Sequence, residues 1–250
     1  MRRTPRILAL ALALLGLALA QGTEVKVAVA ANLRDAFLDI VRAFSQANPG
    51  VQVQANFGSS GAFTQQILQG APFDLFLAAD TGFPKALAEK GLAEEPPRVY
   101  ARGKLILFLP KRVGIKPKDL AVLLNPAIRK VALANPEVAP YGRGAKEALT
   151  QAGLWEKVQP KLVYGQDIAQ TAQLTLAAAD AGFFNFSALF TPAFRNQGEA
   201  FVVPQRLYTP LDQAVVLLKG RARPEVRRFY AFLFGAEARR VLVAYGYQVP

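Results

Sequence analysis

The chain has 250 residues, of which 52% are hydrophobic, and a formal net charge of +12 at neutral pH. It contains neither cysteine nor histidine. Disulfides, lipid attachment to an N-terminal cysteine, Ser-His-Asp or Cys-His nucleophiles and zinc sites with nitrogen or sulfur ligands are therefore excluded. The basic charge favours anionic partners. Nucleic acid is not the expected partner, because the basic residues are scattered and no aromatic-interleaved motif accompanies them.

The N-terminus has the pattern of a secretory signal peptide. Three arginines precede an apolar run of 14 residues, 7–20, which ends in Ala-Leu-Ala. The run is shorter than the roughly 18 residues that a membrane-spanning helix needs. We therefore expect residues 1–20 to be removed, leaving a soluble periplasmic or otherwise extracytoplasmic protein whose net charge falls from +12 to +9 with the loss of those arginines.

Short strands alternate with helices in the first part of the mature chain. Residues 25–29 and 51–56 have the pattern of strands, and apolar residues recur at helical spacing between 33 and 44. A helix beginning near Ser60 and a buried strand at 73–78 continue the alternation. This pattern predicts an α/β protein with largely parallel sheets, in which ligands bind beyond the carboxyl ends of the strands.

Two of these strand-to-helix junctions are suited to an anion. One is Ser59-Ser60-Gly61, and the other is the segment Ala31-Asn32 that follows the first strand. The start of a helix offers unpaired N–H groups and the positive end of the helix dipole, so an anion can bind there without a lysine. An ordinary N-cap is the alternative role for Ser60.

The same alternation returns in the middle of the chain. Strands are predicted at 105–109, 131–134, 162–164 and 182–184, and helices at 142–151 and 168–178. A strand and two helices after residue 213 have no partner there and are expected to return to the first part. We therefore predict a discontinuous domain I, residues 21–101 plus 205–250, and a domain II, residues 102–204, joined by two crossings that form a hinge.

Five segments carry a resemblance to a known family. They are Val-Ala-Val-Ala-Ala-Asn-Leu at 27–33, Phe-Gly-Ser-Ser-Gly at 57–61, Gly-Ala-Pro-Phe-Asp-Leu-Phe-Leu-Ala-Ala-Asp at 70–80, Asn-Pro-Glu-Val-Ala-Pro-Tyr-Gly at 135–142 and Asp-Ala-Gly-Phe-Phe at 180–184. With these motifs the chain resembles the substrate-binding component of ATP-driven molybdate importers, a type II periplasmic binding protein. The resemblance covers nearly all of the mature sequence. It implies two domains, each a mostly parallel sheet flanked by helices, with molybdate or tungstate held in the cleft by neutral hydrogen-bond donors.

The resemblance also implies a set of ligand contacts. They are the side chains of Asn32 and Ser60 and the backbone N–H groups of Tyr141 and Ile168. Asn32 stands where the family usually has serine, but its amide is able to donate. The neighbouring residues Ser59 and Ala31 are alternative contacts. Asp80 and Asp167 are anionic, so we expect strand-end or cap contacts from them and no contact with a dianion.

One position departs from the family pattern. Many members use a tyrosine hydroxyl where this chain has Asn185. Two replacements are open: Asn185 donates through its amide, or the phenol of Tyr141 turns toward the oxyanion. We favour Tyr141.

The function implied is capture of molybdate or tungstate outside the cytoplasm and delivery to the membrane permease of an ABC transporter. We expect a monomer with no cofactor and no enzymatic activity.

A binding protein for another dianion, such as sulfate, is the main alternative, and a carboxylate ligand would favour an arginine such as Arg143. A secreted serine hydrolase is the alternative from another class, but the chain lacks both the Gly-x-Ser-x-Gly elbow around Ser60 and a histidine base. We expect Ser60→Ala to weaken oxyanion binding at least about tenfold, and Ser187→Ala to have no such effect.

Overall fold

The computed structural model describes residues 23–250. The predicted signal peptide, residues 1–20, lies outside the described residues. The part that is described contains two five-stranded sheets with helices packed against them. None of the helices in this part has the length and apolar character needed to span a bilayer.

The strands and helices follow one another in the predicted alternation. The strands are β1 (Thr23–Ala30), β2 (Val51–Gly58), β3 (Leu75–Ala78), β4 (Arg98–Gly103), β5 (Leu105–Pro110), β6 (Val131–Ala134), β7 (Leu162–Gly165), β8 (Ala181–Asn185), β9 (Gly198–Val202) and β10 (Leu211–Leu217). The α-helices are α1 (Arg34–Ala47), α2 (Ser60–Leu68), α3 (Gly82–Glu89), α4 (Pro140–Gln151), α5 (Trp155–Val158), α6 (Ile168–Ala177), α7 (Pro224–Phe232) and α8 (Ala236–Ala244).

The two sheets share one topology. The first has the order β2-β1-β3-β10-β4 and the second the order β7-β6-β8-β5-β9. In each sheet three neighbouring strands pair in parallel, and one strand, β10 or β5, runs antiparallel to both of its neighbours. Four of the five strands therefore run in the same direction, so the predicted class, an α/β fold with mostly parallel sheets, is confirmed.

The chain passes between the sheets twice. It leaves the first sheet after β4, at Lys104, and returns between β9 and β10. Arg102 and Gly103 were predicted to begin domain II, but they pair with Asp212 and Leu211 in the first sheet. The first crossing therefore begins at Lys104.

The C-terminal helices complete the core of the first sheet. Phe37 and Phe44 lie on the buried face of α1, and both rings pack edge to face on Phe229 of α7, with centroids 5.8 and 4.9 Å apart. Leu242 of α8 is buried in the same cluster. Residues after 213 thus pack with the first part of the chain.

Candidate functional site

A small cavity lies between the two sheets, where their parallel strands end. It is lined by Ala30, Ala31, Asn32, Gly58, Ser59, Ser60, Ala79, Ala139, Pro140, Tyr141 and Ile168. These residues end or follow β1, β2 and β3 of the first sheet and begin α4 and α6 beside the second. The lining contains no charged side chain. The cavity volume is about 10 Å³, room for about one water, so the two halves are closed upon each other.

Several helix starts meet at this cavity. Helix α2 begins at Ser60, α4 at Pro140 and α6 at Ile168, and the 3₁₀ turn Ala31–Leu33 leads into α1. The first N–H groups of a helix have no partner within the helix, and the aligned peptide dipoles place partial positive charge there. A cavity with neutral side chains therefore carries a positive potential.

Ser60 is placed to donate to a ligand. Its side chain is almost completely buried, and Oγ accepts a hydrogen bond from the Ala79 N–H at 3.0 Å. Among residues 23–250 the hydroxyl donates to no protein acceptor, so its hydrogen is available. The N-cap role belongs to Ser59, whose Oγ accepts from the Ala62 N–H at 3.3 Å. The cap that the sequence offered as an alternative role for Ser60 is thus made by its neighbour.

The start of α4 supplies backbone donors. Pro140 occupies the first position, where its missing N–H costs nothing. Ala139 is the N-cap residue and has no side chain able to cap the helix. The N–H of Tyr141 in the first turn is therefore not used by a side-chain cap. At the start of α6, by contrast, Asp167 accepts from the Gln170 N–H at 2.9 Å, the cap contact expected of this carboxylate.

Asn32 lines the cavity, but its amide points into the protein. Nδ2 donates to Oε1 of Gln213 and to the hydroxyl of Tyr247, each at 3.1 Å. Both amide hydrogens are therefore engaged, and Oδ1 is buried without a partner among the described residues. The sequence-based expectation was that this amide donates to the ligand. The structure differs because two buried acceptors stand behind Asn32.

The phenol of Tyr141 also points toward the protein interior. Its hydroxyl accepts from Nε2 of Gln213 at 3.2 Å and lies so close to Gly103 that a Cβ atom there would overlap it. Burial raises the pKa of Tyr141 well above its usual value, so the phenol is neutral. The Tyr141 hydroxyl thus points toward the crossing between the sheets. To replace the family's tyrosine contact, as favoured from the sequence, the phenol would have to turn toward the anion.

Asn185 does not line the cavity. Its Nδ2 donates to the backbone oxygen of Asn32 at 3.3 Å and to Oγ of Ser187 at 2.7 Å. The amide thus joins the end of β8 to the first strand-to-helix junction. Of the remaining predicted residues, Ile168, Ser59 and Ala31 do line the cavity.

Two residues behind the cavity were missed by sequence reasoning. Gln213 is fully buried in β10, and besides Asn32 its Oε1 accepts from the Tyr100 hydroxyl at 3.1 Å. Tyr247 donates to the backbone oxygen of Asn32 at 2.8 Å, and burial raises the pKa of Tyr247 from 10.0 to about 12. Gln213 could have been found from the sequence, because a glutamine within a largely apolar strand is unusual. Tyr247 follows the last helix, and nothing local distinguishes it.

Arg143 and Asp80, which lie beside the cavity, neutralise each other. Arg143 does not line it, and its guanidinium pairs with Asp80, whose other oxygen accepts from the Phe83 N–H at 3.2 Å. Asp80 thus makes the strand-end contact expected of it. With Arg143 engaged in this way, the arginine that a carboxylate ligand would favour is not available in the cavity.

An anion-suited cavity between two α/β sheets, which the chain links by two crossings, defines a two-domain solute-binding protein. A sequence profile of the bacterial extracellular solute-binding protein family matches residues 25–248. The chain belongs to this family, whose members are binding proteins of transport systems and not enzymes.

The chain is also similar to individual molybdate-binding proteins. The chain is 39% identical to the molybdate-binding protein ModA of Azotobacter vinelandii over 231 residues, which are 91% of each chain. It is also 39% identical to ModA of Rhodobacter capsulatus, covering 98% of this chain and 97% of that one. The solved structure of the Azotobacter vinelandii periplasmic molybdate-binding protein matches with a TM-score of 0.82 at 30% identity, over 90% of this chain and 99% of the other. The resemblance that the motifs indicated is confirmed.

A sulfate-binding protein has the same fold. SubI of Mycobacterium tuberculosis matches with a TM-score of 0.77 at 13% identity, over 91% of this chain and 87% of that one. The fold is therefore shared by a molybdate-binding protein and a sulfate-binding protein. The identity of the ligand depends on the residues of the cavity and not on the fold.

Proposed function

We propose that this protein is the extracytoplasmic binding protein of an ABC importer, and that it captures molybdate or tungstate between its two halves. The observation that carries the proposal is the neutral cavity at the meeting point of several helix starts, with the free hydroxyl hydrogen of Ser60 inside it. The similarity to molybdate-binding relatives over nearly the whole chain supports the same ligand.

Each sheet, with its helices, forms one lobe in this proposal. Lobe I consists of residues 23–103 and 211–250, and lobe II of residues 104–210. The predicted domains I and II have the same arrangement with slightly different limits. An anion larger than one water requires the lobes to move apart on entry, and its bonds to both lobes favour the closed form.

The proposed contacts are the Ser60 hydroxyl and the first N–H groups of the helices. Asn32, Tyr141 and Ile168 contribute through the backbone, and Ser59 and Ala31 lie beside them. A hydrogen bond to a charged group contributes roughly 1.5 to 3 kcal/mol net. Several such bonds, after the cost of association, correspond to a Kd between about micromolar and nanomolar. A lining rich in donors also disfavours an anion that carries a proton, because that proton needs an acceptor.

The remaining parts of the proposal follow from this role. The mature protein, freed of residues 1–20, acts as a monomer outside the cytoplasm and presents its closed form to the membrane permease, without nucleic acid, cofactor or catalysis. A serine hydrolase is disfavoured because the protein partner of Ser60 Oγ is the Ala79 N–H, which is no base. A sulfate-binding protein is the second candidate, since SubI shares the fold.

Calorimetric titration of residues 21–250 with molybdate, tungstate, sulfate and phosphate tests the proposal. We expect one-to-one binding of molybdate and tungstate, with sulfate at least about a hundredfold weaker and phosphate not bound. Equal binding of sulfate would replace the proposal with a general dianion site. Absence of binding by all four anions would refute it.

A further inference from the structure

A buried set of uncharged side chains joins the two lobes on the hinge side of the cavity. We call it the hinge network. It consists of Asn32, Tyr141, Asn185, Ser187, Gln213 and Tyr247, none of them more than 6% exposed. Asn32 and Tyr141 belong both to the network and to the cavity lining, whereas Gln213 and Tyr247 do not line the cavity.

Four links of the network cross from one lobe to the other. Gln213 Nε2 in lobe I donates to the Tyr141 hydroxyl in lobe II at 3.2 Å. The hydroxyls of Tyr247 and Ser187 lie 2.9 Å apart. Two further links end on the backbone oxygen of Asn32 in lobe I, one from the Asn185 amide and one from the Ser187 hydroxyl, each at 3.3 Å. All four hold the lobes together in the closed arrangement.

Because of the network, the stability of the closed form depends on how the two lobes are positioned relative to each other. In an open protein these polar groups bond to water, but in the closed protein they are too deeply buried for that. A buried polar group left without a partner costs about 1 to 3 kcal/mol, whereas a satisfied bond contributes about 0.5 to 1.5 kcal/mol. The closed form is therefore favoured only when the lobes meet so that each link is made.

We propose that Gln213 and Tyr247 are positioning residues that hold the loaded cleft closed. The inference rests on the proposed function, because it assigns the residence time of the oxyanion to these two side chains. They act through Asn32 and Tyr141, whose place at the cavity they fix from behind. Release requires opening, so their loss raises the dissociation rate, whereas the association rate of the open protein with the anion is unchanged.

The test is the kinetics of molybdate exchange in Tyr247→Phe and Gln213→Leu, measured by rapid filtration with isotopically labelled molybdate. We expect the dissociation rate to rise at least about fivefold in both variants, with association within about twofold of the wild type. Tyr100→Phe is the matched control. It removes a hydroxyl that bonds to Gln213 within lobe I, so its dissociation rate should stay within about twofold.

The outcomes separate the inference from the proposed function. Wild-type dissociation rates in folded Tyr247→Phe and Gln213→Leu proteins would overturn the inference, as would a loss of affinity that lies entirely in association. If the wild type binds no oxyanion, the proposed function fails, and small-angle scattering of the free proteins then tests the network. A larger radius of gyration in Tyr247→Phe than in Tyr100→Phe supports it, and equal radii overturn it.

Discussion

Asp80 and Arg143 form an ion pair that joins the two lobes beside the cavity. Asp80 directly follows the cavity residue Ala79, and its side chain is 9% exposed, whereas that of Arg143 is 39% exposed. Without its partner the carboxylate would repel an anion bound in the cavity. The pair thus favours closure and at the same time shields the ligand from a negative charge.

Arg143→Gln should weaken molybdate binding about three- to tenfold, because it leaves Asp80 unpaired beside the anion. The loss should shrink in high salt, which screens the repulsion. Calorimetry at two ionic strengths measures both effects. Asp80→Asn is the control, since it removes the negative charge and is expected to bind at least as well as Arg143→Gln under every condition. Weaker binding by Asp80→Asn than by Arg143→Gln would show that the bond matters and the charge does not.

The lobes also touch at the start of helix α2. The Gly61 N–H donates to the backbone oxygen of Val138 at 2.9 Å, and a Cβ atom at position 61 would lie only 2.8 Å from the Val138 Cα. Gly61→Ala should therefore prevent full closure and weaken molybdate binding more than about tenfold. The free protein should remain as stable as the wild type, since alanine favours a helix.

Gly82→Ala is the matched control for that variant. It also lies at the start of a helix, but a Cβ atom there would meet neighbours at ordinary distances of 3.7 Å and more. Binding should be unchanged. Small-angle scattering with and without molybdate measures closure directly, and compaction of Gly61→Ala to the wild-type extent would contradict the steric argument.

Ser60→Ala should weaken molybdate binding at least about tenfold, or 1.4 kcal/mol, because it removes the side-chain donor of the cavity. The structure changes the choice of control. Ser187, expected from sequence to be neutral, bonds to Tyr247 and belongs to the hinge network. Ser45, exposed on α1, is the better control. Wild-type affinity in Ser60→Ala, measured by calorimetry, would remove Ser60 from the proposed ligand set.

Local sequence patterns predicted most of the fold, and the exceptions have a physical reason. Buried strands such as β5 and β6 are continuous apolar runs and were placed within a residue of their limits. Strands β4 and β9 were missed. Both lie at the edges of their sheets, and β4 carries Arg98 and Arg102 while β9 carries Glu199. An edge strand has one free side and often bears charge, so its apolar pattern is weak.

The residues that lie at helix starts were predictable from the local sequence pattern. Ser60 and Ile168 follow strand ends and begin helices, a pattern that is visible in the sequence. The direction of a side chain is not visible there. Whether the Asn32 amide faces the cavity depends on Gln213 and Tyr247, which are 181 and 215 residues away. Long-range packing of this kind leaves no local signal.

The buried tyrosines behind the cavity predict a loss of stability in alkali. Burial raises the pKa of Tyr247 from 10.0 to about 12 and also raises the pKa values of Tyr100 and Tyr141. The unfolded chain therefore releases these protons at lower pH than the folded protein does. The stabilisation from Tyr247 is complete below about pH 10 and is lost as the pH rises toward 12, with a slope that approaches about 1.4 kcal/mol per pH unit. Denaturant unfolding between pH 8 and about pH 11.5 should show a steeper decline in the wild type than in Tyr247→Phe, whereas Tyr164→Phe, at an exposed position, should follow the wild type. Parallel curves for the wild type and Tyr247→Phe would mean that this hydroxyl is not buried in solution, and the hinge network would then lack one of its links.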